Sequence, residues 1–107
     1  MKKWVLLVLI FTLVFYGCSN KETVSQIPEN TIIIKNFEFN PSEITIQQGT
    51  TLKWINEDSA PHNIKSDIIN SDTFGLGGLF EFKFENTGIY DYICGIHPYM
   101  KGRVIVE

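Results

Sequence analysis

Cys94, His97 and Met100 stand at equal three-residue spacing in the stretch YDYICGIHPYMKGRVIV, between two runs that read as strands. A thiolate, an imidazole and a thioether so close together form a metal-ligand set, and the set is incomplete. Soft sulfur donors combined with imidazole suit copper, in a site of two His and one Cys with a long, weak Met bond. The second imidazole has one possible source, because the chain contains two His and the other is His62. Any fold available to this chain must therefore carry residue 62 against residues 94–100 and hold both rigidly. Zinc is the nearest rival metal, but it prefers a closed set of Cys, His or carboxylate without thioether.

The inventory strengthens this reading. The chain has two His, two Cys and two Met. With Met1 set aside as initiator and Cys18 as part of a processing signal, everything that remains falls into one constellation. Taken singly, a free Cys is usually a small buried hydrophobe, a Met is core filler, and a His is a surface or hydrogen-bonded residue. Copper requires this mixture; chance does not supply it.

Lys2 and Lys3 give the start of the chain a positive head, and the thirteen residues 4–16 are apolar or hydroxylic before Gly17 and Cys18. Such a run suits the core of an export signal and falls short of the roughly 20 residues a spanning helix needs. Gly before Cys reads as a lipoprotein-type cleavage site, with 1–17 the signal peptide and Cys18 the acylated first residue of the mature chain. An uncleaved N-terminal anchor is the alternative, and both place the remainder outside the cytoplasm, on the outer face of the cytoplasmic membrane or in the periplasm. A disulfide between Cys18 and Cys94, which export would permit, is disfavoured by the place of Cys94 among ligands. Residues 18–30 are polar, carry Pro28 and show no apolar period, as expected of a tether. Loss of Lys2 and Lys3 takes the formal charge from −3 to −5. A nucleic-acid partner is excluded on that ground, since it would demand a basic face.

From residue 31 onward the pattern is short runs rich in β-branched and aromatic residues, separated by turn signals. Residues 31–35 form the first run. Phe37 and Phe39 alternate across Glu38 before Asn40-Pro41, Ile44 and Ile46 share one face of 43–47, and Leu52 and Trp54 share one face of 51–56 after a turn at Gly49. These read as hairpin strands of a sandwich with one wet and one buried face. Phe80, Phe82 and Phe84 repeat the pattern, and Tyr90, Tyr92 and Cys94 point inward along a later strand. Lys101-Gly102 reads as a turn before a closing strand at 103–107. Residues 66–78 read as a mobile connection; their glycines form no phosphate-cradling pattern. The fold class is all-β, a sandwich, with 31–107 as one small domain and the protein a monomer.

The motifs WINEDSAPHNI around His62 and CGIHPYMKGRVIVE after the last inward strand, together with Tyr90 and Tyr92 leading into Cys94, resemble those of cupredoxins of the plastocyanin and amicyanin type. The resemblance covers residues 31–107. It implies a Greek-key, cupredoxin-like β-sandwich, one type 1 copper ion cycling between Cu(I) and Cu(II) on His62, Cys94, His97 and Met100, and one-electron shuttling. It also implies that Asn63 ties the two ligand loops together and that Tyr90 is a tyrosine-corner residue; Pro98, beside His97, is expected to support that ligand.

A coordination shell with no open position leaves a substrate no place to bind, and the chain has no spare His for further copper centres. An electron carrier, not an enzyme, is expected. Its redox partners would dock near His97, on an apolar patch including Ile96, Pro98, Tyr99, Pro61 and Leu76. The alternative is a surface copper carrier or store without a dedicated electron-transfer partner. Carriers more often use Met-rich or His-rich sites, and this chain is poor in both.

Overall fold

The computed structural model describes residues 29–107; the signal at 1–17, the acylation at Cys18 and all but the last two residues of the tether at 18–30 lie outside the described residues. Seven strands follow one another: β1 (Thr31–Lys35), β2 (Glu38–Asn40), β3 (Glu43–Ile46), β4 (Thr51–Asn56), β5 (Leu79–Lys83), β6 (Gly88–Cys94) and β7 (His97–Val106). They form two sheets, in the orders β2-β1-β4-β5 and β3-β7-β6. This is the all-β sandwich expected from the alternation, with the apolar face of each strand turned to the space between the sheets. Ile32, Ile34, Leu52, Trp54, Phe84, Tyr92 and Val104 are buried there.

Two expectations about connectivity are corrected. The strands before residue 56 are not a run of hairpins: β1 and β2 pair antiparallel, but β1 pairs parallel with β4, and β3 leaves for the other sheet, where it pairs parallel with β7. Alternation fixes which face of a strand is buried and is silent on its neighbour. Gly49, at φ 90°, is where the chain passes from one sheet to the other. The expected turn at Lys101-Gly102 is likewise absent, and β7 continues through it as one strand from His97. Gly102 lies opposite Tyr92 in the β6/β7 ladder. A Cβ there would fall 2.2 Å from Cζ and 2.4 Å from Oη of Tyr92, so the glycine makes room for a ring and does not bend the chain.

Residues 66–78 are tied down, contrary to the mobile connection expected from composition. His62 N–H donates to the carbonyl of Phe74 at 3.1 Å and Phe74 N–H returns the bond at 2.9 Å; Ser71 N–H donates to the carbonyl of Ile64 at 2.9 Å. Ile69, within this segment, is buried in the core. At the opposite end Tyr90 Oη donates to the carbonyl of Asn86 at 2.8 Å, the closure of a tyrosine corner.

Candidate metal centre

β6 and β7 form a hairpin whose two-residue turn is Gly95-Ile96, so that Cys94 and His97 face each other as its last pair, just past an irregularity at Ile93/Cys94. The short spacing of the ligands is thus a property of the turn. Tyr90, Tyr92 and Cys94 alternate inward along β6, and Cys94 is fully buried. Met100 enters the core three residues after His97, on β7, and is 2% exposed. His62 arrives from the other sheet: the chain leaves β4 at Asn56, loops, and returns in extended form against Phe74.

The ligand atoms converge. Cys94 Sγ lies 3.6 Å from His62 Nδ1 and 3.7 Å from His97 Nδ1, and the two Nδ1 atoms are 3.3 Å apart. His62 is fully buried, whereas the ring of His97 is half-buried at the surface. Asp58 orients the buried imidazole. Its Oδ2 sits 2.9 Å from His62 Nε2. A carboxylate accepts only, so Nε2 carries a proton, and Nδ1 is the nitrogen turned toward the cluster. Burial pushes the Asp58 carboxyl up, but hydrogen bonds from Phe37 N–H, the His62 ring and Asn36 N–H outweigh it and hold the group below its ordinary range.

Asn63 joins the two halves of the site. Its N–H donates to Cys94 Sγ at 3.4 Å, and its Oδ1 accepts the N–H of Ile96 at 3.1 Å. Pro98 is exposed beside His97. Asn56 braces the loop that carries His62: its Nδ2 donates to the carbonyls of Ala60 and Phe74, both at 2.9 Å, and its Oδ1 accepts Asp58 N–H at 2.8 Å.

The donor set fits copper. Two imidazole nitrogens and a sulfur meet within 4.8 Å of one another, with Met100 buried in the same hairpin. The sequence profile of the cupredoxin-like domain matches residues 5–106. The chain belongs to the cupredoxin-like family. It is 33% identical over 92 residues to amicyanin of Paracoccus versutus, covering 78% of this chain and 70% of that protein. It is 32% identical over 84 residues to plastocyanin of Scenedesmus fuscus, with 64% and 86% covered. Among solved structures it is similar to a purple cupredoxin from Nitrosopumilus maritimus, at TM-score 0.68 and 35% identity, over 72% of this chain and 98% of that one. This cupredoxin is thus an amicyanin- and plastocyanin-like type 1 copper protein, not an enzyme, and His62, Cys94, His97 and Met100 make up its copper site.

Three contributors escape a reading of ligand motifs: Asp58, Asn56 and Phe37. Asp58 had a usable signal, since a ligating His commonly donates its outer N–H to a carboxylate and Asp58 precedes His62 by one loop. Phe37 had none; only the fold brings it 5.2 Å from the His62 ring and 5.1 Å from that of His97.

Proposed function

We propose that this cupredoxin carries single electrons between redox proteins outside the cytoplasm, through one copper ion held by His62, Cys94 and His97 with Met100 as the weak fourth donor. The observation that carries the reading is the asymmetry of the two imidazoles. His62 is locked from behind by Asp58 and sealed in the core, while His97 reaches the surface between Ile96 and Tyr99, both exposed. Bound copper supplies the one-electron couple. The protein's own residues keep the site dry, hold the two Nδ1 atoms 3.3 Å apart on a rigid sandwich, and offer the His97 ring as the short route to a partner.

The remaining parts follow from the sequence. Residues 1–17 direct export, Cys18 carries the lipid, and 18–30 tether a monomeric domain to the outer face of the cytoplasmic membrane. Asn63 and Pro98 hold the ligand hairpin, Asn63 by linking it to the His62 loop and Pro98 by stiffening the chain at His97. A partner covers the apolar face formed by Ile96, Pro98, Tyr99, Pro61 and Leu76.

Visible absorption and EPR of the copper-loaded protein test the central claim. The expected result is an intense thiolate-to-copper band at about 600 nm with stable metal retention. A colourless protein that exchanges copper rapidly would refute the carrier of electrons and favour a carrier of copper.

A further inference from the structure

Asn36 and Phe37, between β1 and β2, both lie in the left-handed region, at φ 54° and 57°. Asn tolerates that conformation, but a bulky Phe adopts it only where its surroundings impose it. Asp58 imposes it. Its Oδ1 accepts the N–H of Asn36 at 2.7 Å and its Oδ2 the N–H of Phe37 at 2.9 Å, while Oδ2 also holds Nε2 of His62. One carboxylate therefore fastens the buried ligand and a strained turn together, and the turn delivers a ring onto the ligands. Phe37 meets the edges of both imidazoles at interplanar angles of 82° and 80°. It is 38% exposed, so burial alone does not account for its position.

The two imidazoles differ in what holds them. His62 is fixed at both nitrogens, by Asp58 and by the cluster. Among the described residues no hydrogen bond is made by Nε2 of His97; its ring is bounded by His62 at 5.1 Å, Phe37 at 5.1 Å and Tyr99 at 6.2 Å between centroids. Tyr99 is itself 66% exposed. Of the two aromatic neighbours outside the ligand set, Phe37 is the less exposed and the one whose backbone Asp58 ties to the buried ligand.

We infer that Phe37 is a positioning residue of the copper site, a wedge held in strained backbone by Asp58 that stops the His97 imidazole from swinging out of the cluster. Backbone strain at a site persists where the surroundings over-determine it, and here the strained residue is the one that touches both ligands. The inference rests on the type 1 copper reading, and its test has an arm that needs no metal.

The experiment compares the full chain with Phe37→Gly, which relieves the left-handed strain and removes the ring, and Phe37→Tyr, which keeps the ring. In the copper-free proteins, NMR of the imidazole C–H groups should show the His97 signals broadened or averaged in Phe37→Gly while those of His62 stay sharp, with Phe37→Tyr matching wild type. In the copper-loaded proteins, transfer of Cu(I) to a chelator should be about tenfold faster in Phe37→Gly, the scale expected on losing edge-to-face aromatic contacts. Unchanged His97 signals with unchanged copper transfer would overturn the wedge. So would equal broadening of His62 and His97, which would mean that Phe37 is general packing. A wild-type protein without the blue band would instead refute the copper reading, and the metal-free comparison would still decide whether the ring of Phe37 restrains His97.

Discussion

Replacing Cys94 by Ser would leave an oxygen where the thiolate stands and remove the strong donor that gives a type 1 site its colour. Cys94 is buried at the end of a strand whose packing is carried by Tyr90 and Tyr92, so the sandwich should persist. The expected outcome is a folded, colourless copper complex; an intense visible band in Cys94→Ser would count against Cys94 as ligand. Asp58→Asn tests the other side of the site. The side chain is 11% exposed and accepts three hydrogen bonds, and the copper-free variant should lose about 1 to 3 kcal/mol in chemical denaturation. The sign with pH is fixed by the lowered pKa of the group. Stability from a carboxylate held below its ordinary value of 3.8 is present above that value and is lost as pH falls through the depressed one. The stability gap between wild type and Asp58→Asn should close only in strongly acidic solution, and a gap that closes near neutrality would show that Asp58 is not the cause. At this scale the ligands were legible because their chemistry is scarce in the chain. Phe37 was not, because a Phe beside a turn looks like any other until the fold sets its ring against His62 and His97.

Strands were legible as strands, and their partners were not. The inward faces at Leu52 and Trp54, and at Tyr92 and Cys94, follow from period-two alternation, which depends on the sequence of one strand alone. The parallel pairing of β1 with β4 and of β3 with β7 depends on the whole set of crossovers, which no local pattern encodes. Gly102 shows the same limit in one residue. A Lys-Gly pair reads as a turn, and only the register opposite Tyr92 reveals that the missing side chain is what matters. Gly102→Ala should therefore destabilise the copper-free protein by about 1 to 3 kcal/mol, the cost of forcing an extra methyl into a packed core. The ring it would strike packs against Phe39 at 4.7 Å and Trp54 at 5.5 Å between centroids, so it has little freedom to retreat. Urea denaturation measures this; a variant as stable as wild type would mean that Tyr92 moves aside at no cost.

For the whole molecule the question is how an electron leaves a core sealed on nearly every side. His62 comes from the segment after β4 and the other ligands from the β6/β7 hairpin, and of the two imidazoles only His97 reaches the surface, with Ile96, Tyr99 and Leu76 exposed. If electrons leave through His97, as proposed, transfer between two copies of the protein requires their His97 edges to approach, which strips water from the apolar residues beside them. Pro98 is exposed next to His97, and Pro98→Glu would place a charge in that contact. Two such charges would face each other across the pair, and the formal charge of the chain, already −3, would become more negative. Electron self-exchange should slow by about tenfold or more, equivalent to about 1.4 kcal/mol in the barrier. Because the ligand atoms are untouched, the blue band should keep its position and intensity. Raising the ionic strength should recover part of the lost rate, since screening weakens repulsion between exposed charges. Self-exchange measured by NMR line broadening in mixtures of the two oxidation states provides the rate. An unchanged rate with an unchanged spectrum would place the exit for electrons somewhere other than the His97 face.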